Sequence, residues 1–363
     1  MSEFAMDSIF MKRCLQLAAN GRATCSPNPM VGAVVVHQGR IIGEGWHRKA
    51  GEPHAEPQAI HSVKNQALLK EATLYVSLEP CSHYGKTPPC ADLIVEKQIP
   101  RVVIGSLDPF PLVSGRGVSK LRAAGIEVSV GIEETACIKL NLHFFQFHRL
   151  KRPFIILKWS QTADGFLDII RKQGDCQSSL KISTPFTQML VHKLRSECDV
   201  ILVGTKTALL DNPALNTRFW TGKNPVRAVL DRQMILPSDS VLLNGEIPTI
   251  VFTEKPSQKR GKISWVHLDF NKDIPGQILQ DLYTRNLQTL LVEGGTFLHE
   301  SFLKAGLWDE IHIETSTQYI GEGVSAPDLS GVPVFQAKFM ESDSGINGRK
   351  ISIFRSSEAK KNV

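Results

Sequence analysis

The sequence lacks any long hydrophobic run. No stretch of its 363 residues approaches the roughly 18 apolar residues that span a bilayer, so a membrane-spanning helix is excluded. Its first residues, MSEFAMDSIFMKRC, scatter Glu3, Asp7, Lys12 and Arg13 among apolar residues without the basic-then-apolar order of a signal peptide, so export is not expected. A soluble, cytoplasmic protein is expected. Charge of one sign is not in great excess. Lys and Arg number 42 against 36 Asp and Glu, a formal +6, and no block of six or more basic residues occurs. Such a balance suits phosphorylated small molecules, which need only a few local cations, as well as nucleic acid. Aromatic residues are only 7%, which leaves little for stacking bases. The seven cysteines are an odd number, so reduced thiols, some of them metal ligands, fit better than a disulfide framework. No G-x-G-x-x-G follows an early strand, so a Rossmann site has no support.

What is present is ordinary globular chemistry, 42% hydrophobic and 21% charged, in a chain long enough for two domains at about 150 residues each. Strand and helix patterns alternate. Residues 6–20 have helical apolar spacing, MVGAVVVH is a buried strand and RIIGEGWH its hairpin partner. A helix starts near His54, strands follow at 72–80, 101–108 and 125–132, and helices at 90–97 and 117–124. Helices on both faces of a sheet are expected. Residues 140–153 change composition, from aromatic to His148, Arg149, Lys151, Arg152 and Pro153, and the basic stretch 148–153 reads as a linker or else as a phosphate contact. Domains at 1–147 and 148–363 follow. The second half restarts the α/β rhythm, with strands at 154–160, 200–207, 226–231, 248–253, 264–269, 289–295 and 310–316. Seven or eight strands in one sheet are expected. Helices are read at 186–199, 276–287 and 296–307.

His54-Ala55-Glu56 is followed by Pro80-Cys81 and then Cys90. One histidine and two cysteines suit zinc and leave a fourth position for water. Zinc lowers that water's pKa to about 7. Glu56, two residues from the metal histidine, moves protons without being a ligand. This is the H-x-E and P-C-x-x-C arrangement of zinc-dependent base deaminases. Pro57 and Pro88-Pro89 place His54, Glu56 and Cys90 at helix starts, where partial positive charge favours thiolate. Eight residues, SHYGKTPP, separate Cys81 from Cys90, where the general pattern has two.

That longer loop, from Glu79 to Cys90, resembles the zinc loop of the bifunctional riboflavin-biosynthesis deaminase/reductase family. Pro27-Asn28-Pro29-Met30-Val31-Gly32, Gly51-Glu52-Pro53-His54-Ala55-Glu56 and Asp108 to Gly117 are similar to its other deaminase signatures. The family usually has Asn in place of Phe110 and an aliphatic residue in place of Pro57. The resemblance implies a cytidine-deaminase-like three-layer domain, with His54, Cys81 and Cys90 on zinc and Glu56 as proton donor. Asn28 would meet the pyrimidine edge, and His83 and Lys86 would lie near the substrate. His47 is a candidate for orienting neighbouring groups.

The second half resembles the family's reductase, which is dihydrofolate-reductase-like and uses NADPH. Leu157-Lys158, Asp164-Gly165, Asp211 to Arg218 and Glu293-Gly294-Gly295 carry the similarity. By that resemblance Ser160, Lys181, Thr207, Asp211, Arg232, Gly295 and Thr296 contact NADPH, and Ser179, Leu215, Arg218 and Glu293 contact substrate. Arg218 has a physical reason, since its planar fork pairs with phosphate. The Gly-Gly turn into a helix suits a phosphate at the helix N-terminus. The family has an aromatic residue where Lys181-Ile182-Ser183 stands, a shorter spacing between Asp164 and Ser179, and a smaller residue in place of Arg232. Those departures leave a degenerate reductase half as the alternative. The expected enzyme deaminates 2,5-diamino-6-(5-phosphoribosylamino)pyrimidin-4-one, then reduces its ribosyl chain to ribityl. It binds no nucleic acid or membrane and is a homo-oligomer.

Overall fold

A computed structural model describes residues 3–84, 88–110, 114–172, 178–341 and 349–356. The chain divides into two compact units, Met1–Leu150 and Lys151–Asn362.

The first unit is built on strands β1 (Gly32–His37), β2 (Arg40–Trp46), β3 (Thr73–Leu78), β4 (Arg101–Ser106) and β5 (Glu127–Val130), ordered β2-β1-β3-β4-β5. The hairpin of β1 and β2 turns at Gly39, whose φ of 73° favours glycine. From β3 to β5 the strands are parallel. Helices α1 (Glu3–Ala18), α2 (Ala55–Ser62), α3 (Cys90–Glu96), α4 (Arg116–Ala123), α5 (Glu134–Leu140) and α6 (Leu142–Leu150) accompany them. Side chains alternate across a strand, so each face has its own core. Ala33, Val35, Leu74, Val76, Val102 and Ile104 pack with residues of α2, α3 and α4. The intervening Val34, Val36, Tyr75 and Val103 pack with Phe10, Met11, Cys14 and Leu17 of α1 and Cys137 of α5. The three layers expected from the sequence result. Residues 148–150, the start of the basic stretch read as a linker, instead close α6. There the ring of Phe144 lies 4.5 Å from that of His148, and Arg149 lies 5.4 Å over Phe145. The aromatic face decided the conformation, not the basic tail.

The second unit runs β6 (Phe154–Gln161), β7 (Phe166–Asp168), α7 (Pro185–Glu197), β8 (Val200–Gly204), α8 (Thr205–Asp211), β9 (Val226–Leu230), β10 (Thr249–Thr253), β11 (Gln258–Arg260), β12 (Ile263–His267), α9 (Ile274–Thr284), β13 (Thr289–Gly294), α10 (Thr296–Lys304), β14 (Glu310–Thr315), β15 (Val324–Ser325), β16 (Val334–Glu341) and β17 (Lys350–Ser356). Its main sheet has ten strands, ordered β11-β12-β10-β9-β8-β13-β6-β14-β17-β16. The inner strands from β12 to β14 are parallel, and antiparallel strands close both edges. Ten exceeds the seven or eight expected, because β11 is three polar residues and the β16–β17 hairpin lies beyond the last strand read. The strand read at 200–207 stops at Gly204, and Thr207 belongs to α8. A capping box of Thr184 and Thr187, with Pro185 in the first turn, starts α7. Among the described residues no helix is long and apolar enough to cross a membrane.

The position of α2 depends on two glycines of β2. A Cβ on Gly45 would lie 2.4 Å from the Ala59 nitrogen and 2.6 Å from the Ala55 oxygen, and one on Gly43 would lie 2.4 Å from the Ala59 oxygen. The helix that carries Glu56 therefore lies directly on the strand backbone. Replacing Gly45 by Ala is expected to push α2 away and cost about 1–3 kcal/mol. Calorimetry should show the melting transition of the first unit falling by several degrees; an unmoved transition would contradict the packing.

Candidate active sites

In the first unit, His54 precedes α2 with extended backbone, Glu56 is in the first turn, and Pro57 sits where its missing N–H matters little. Cys81 follows β3, and Cys90 opens α3 after Pro89. His54 Nδ1 lies 3.6 Å from Cys81 Sγ and 3.4 Å from Cys90 Sγ. The three ligand atoms all fall within 4.8 Å of one another. Tetrahedral zinc, with bonds of about 2.3 Å to sulfur and 2.0 Å to nitrogen, separates such atoms by about 3.5 Å. The donor set and its spacing therefore fit zinc. Cys81 is pulled down to about 4, first by the hydrogen bond from the Cys90 thiol and further by His54. Its partner Cys90 is pushed the other way by that same contact and by burial. His54 rises to about 9 through its contact with Cys81. The Cys81 thiolate and the His54 ring thus favour each other's charged forms. Glu56 is 3% exposed, and burial pushes its carboxyl up to about 7.

Asn28 Nδ2 lies 3.0 Å from His47 Nε2, and His47 Nδ1 lies 3.1 Å from the Pro53 carbonyl. With Asn28 as donor, His47 accepts at Nε2 and donates from Nδ1, and burial lowers its pKa. Its ring meets that of His54 edge-on at 5.4 Å. The ring of His83 lies 6.4 Å from that of Phe110. Lys86 lies outside the described residues.

Glu79 was not read from the sequence as a site residue. It is 4% exposed and accepts four backbone N–H groups: Asp108 at 3.3 Å, Gly115 at 2.9 Å, Gly117 at 2.9 Å and Val118 at 3.2 Å. The loop leading into α4 is thereby tied to the strand end that leads to Cys81.

In the second unit a cavity of about 1270 Å³ opens at the carboxyl ends of β6, β8, β9 and β13, the usual ligand position of such sheets. Ser160, Ser179, Lys181, Thr207, Asp211, Arg218, Arg232, Glu293, Gly295 and Thr296 all line it. Leu215 is not among its lining residues; it is buried, with a φ of 45°. Gly294 and Gly295 make a cradle before α10. A Cβ on Gly294 would meet Thr207 Cγ2 at 2.8 Å, and Gly295 has a φ of 90°. That bare turn at a helix N-terminus fits a cofactor phosphate. Arg218 donates to Asn216 Oδ1 at 3.0 Å and lies 4.7 Å over Phe219, with its outer face exposed. Arg232 pairs with Glu254 at 2.7 Å on the cavity rim.

Among the lining residues not read from the sequence as contacts are Arg195, Lys158 and His192. Arg195 holds Glu293 through two hydrogen bonds, at 2.9 and 2.5 Å. Lys158, partly open to the cavity, donates to Ser160 Oγ at 3.0 Å. Burial lowers its pKa, and Glu293 and Glu314 push it back up. His192 packs against Phe219 with ring centroids 4.8 Å apart.

Comparison with known proteins agrees with this two-part architecture. Residues 5–106 match the cytidine and deoxycytidylate deaminase zinc-binding region, and residues 153–350 match the RibD C-terminal domain. The riboflavin biosynthesis protein RibD of Aquifex aeolicus is 43% identical over 332 residues, 89% of this chain and 90% of its own. That of Synechocystis is 37% identical over 347 residues, covering 94% and 91% of the two chains. The solved structure of a deaminase/reductase from Thermotoga maritima, 38% identical, superposes with a TM-score of 0.84 over 98% of this chain and all 100% of its own. A deaminase half and a reductase half are thus matched together along nearly the whole length, and the chain belongs to the RibD family of riboflavin biosynthesis proteins.

Proposed function

We propose that the residues assembled at the two sites carry out successive steps on one phosphorylated pyrimidine. Residues 1–147 would deaminate 2,5-diamino-6-(5-phosphoribosylamino)pyrimidin-4-one, and residues 148–363 would reduce its ribosyl chain to ribityl. The observation that carries this reading is the clustering of His54, Cys81 and Cys90 within 4.8 Å beside buried Glu56. His54, Cys81 and Cys90 would hold zinc, which when bound supplies a water acidic enough to attack at neutral pH. Glu56, held at the first turn of α2, takes a proton from the attacking water and gives it to the departing amine. Asn28, steadied by His47, faces the pyrimidine edge.

In the second unit the Gly294-Gly295 turn, Ser160, Lys181, Thr207, Asp211, Arg232 and Thr296 would hold NADPH, which supplies hydride. Ser179, Arg218 and Glu293 would hold the substrate, with Arg218 on its phosphate, whereas Leu215, expected from the resemblance to contact it, is buried outside the cavity lining. At the sugar carbon a C–H bond forms and the bond to the ring oxygen breaks. That oxygen keeps the electron pair and takes one proton. Lys158 is the ammonium placed at this wall. The six described cysteines are free thiols, which fits a cytoplasmic enzyme; a homo-oligomer remains the expectation from sequence, and its mass in solution tests it.

Three outcomes are expected. Cys81→Ser or Cys90→Ser should lose zinc and ammonia release together, since hydroxyl is a poor substitute for thiolate. Stoichiometric zinc in either variant, by elemental analysis, would remove that residue from the ligand set. Glu56→Gln should keep zinc and lower deamination by about 10²- to 10⁴-fold, while reduction of already deaminated substrate continues. Deamination near the original rate would end that assignment. Arg218→Ala should slow NADPH oxidation by roughly 10- to 150-fold, the loss of a charge-assisted contact of about 1.5–3 kcal/mol, and leave ammonia release unchanged. Equal slowing of both reactions in a folded variant would contradict the separation of the sites.

A further inference from the structure

The reduction as outlined leaves one buried carboxylate without a task. Glu314, on β14, is 3% exposed. Its Oε2 accepts from Ser160 Oγ at 2.9 Å and from Ser183 Oγ at 2.5 Å. Its Oε1 is buried and has no hydrogen-bond partner among the described residues. Both serines line the cavity, while Glu314 is not among the lining residues. Ser160 Oγ also accepts from Lys158 Nζ at 3.0 Å. A path therefore runs from the Lys158 ammonium through one hydroxyl to the Glu314 carboxylate.

The charges around Lys158 show why that path matters. Glu293, on β13, influences Lys158 too, but both its oxygens are engaged by Arg195 of α7. His192 of α7 and His299 of α10 are neutral, since burial pulls both down to about 4. Glu314 is thus the carboxylate left to balance Lys158. Without it, two buried cations would share one carboxylate, and an unbalanced buried charge is strongly unfavourable. The route through a hydroxyl has its own consequence. A lysine ammonium has three donors. A direct ion pair would turn Lys158 into the wall, whereas one bond to Ser160 leaves the other donors for the cavity.

We propose that Glu314 is a positioning residue for the reduction: through Ser160 it keeps the Lys158 side chain charged and facing the cavity, where the opened sugar oxygen takes its proton. The proposal rests on the reading of this cavity as the reductase site.

The test is Glu314→Gln in the full chain, which keeps the size and removes the charge. The first readout needs no cofactor. Trinitrobenzenesulfonate reacts with neutral amines, so Lys158 should be labelled faster in the variant, about tenfold for each unit its pKa falls. Lys181, which also lines the cavity, is the control and should not change. The second readout is the pH profile of NADPH oxidation on deaminated substrate. An acid that must be protonated is lost as pH rises through its pKa, so the alkaline limb should move to lower pH. Ammonia release should stay near that of the parent chain. If Glu314→Gln does not fold, Ser160→Ala cuts the same path and must shift labelling in the same direction. Lys158 labelling or an alkaline limb at the parent value, in whichever variant folds, overturns the proposal. A parent chain that fails to oxidise NADPH overturns the reductase reading instead, and the labelling ratio separates the two failures.

Discussion

One carboxylate organises the deaminase end of the molecule. Glu79 stands where β3 ends, and its two oxygens take four backbone N–H groups from the loop 108–118. Charge-assisted bonds of this kind are each worth more than neutral ones, and no water competes at a buried carboxylate. The following residues, Pro80 and Cys81, inherit the position so fixed. Gly117 tightens the same joint, because a Cβ there would fall 2.1 Å from the Pro80 carbonyl oxygen. One cysteine ligand is thus set by a carboxylate clamp. The other, Cys90, is set by the start of α3, and its N–H reaches Cys81 Sγ at 3.3 Å. The histidine is set by α2 on its glycine strand. Three separate restraints meet at one cluster.

The reductase cavity solves a different problem with the same materials. Its floor is made of the carboxyl ends of parallel strands, and it must hold an anionic cofactor and an anionic substrate. Cations gather there, but each buried one is matched. Arg195 is matched by Glu293, and Lys158 by Glu314 through Ser160. Exposed cations such as Arg218 and Lys181 stand at the opening, where phosphate can replace water as their partner.

The zinc cluster was legible in the sequence because its chemistry is written in residue types with local punctuation. Pro57 and Pro88-Pro89 marked the helix starts, and the alternation of strands and helices gave the layers. What was not legible depends on distance along the chain. Glu79 acts on residues up to 39 positions away, and Ser160 meets Glu314 across 154. No periodicity announces such pairs. The edge strands were missed for a related reason: the three residues of β11 are fully exposed, so no apolar pattern marks them. The first residues of the basic stretch read as a linker, 148–150, instead close α6, because that helix packs an aromatic face whose worth appears only in the folded chain.

The segment from 166 to 181, which supplies one wall of the reductase cavity, has its own supports among the described residues. Arg171 is 8% exposed; its Nε donates to Asp168 at 2.8 Å and its Nη2 to Asp211 at 2.6 Å. Asp168 also accepts the Leu180 N–H at 2.8 Å, so both described ends of the segment are drawn to one carboxylate. A wall that had drifted out of use would have no reason to keep a buried guanidinium satisfied between two acids that line the same cavity. Arg171 restrains one oxygen of Asp211, which turns a residue at the end of α8 into a fixed acceptor at the cavity edge. The described residues at both ends of the segment therefore form a wall of the cavity that is braced by its own ion pairs.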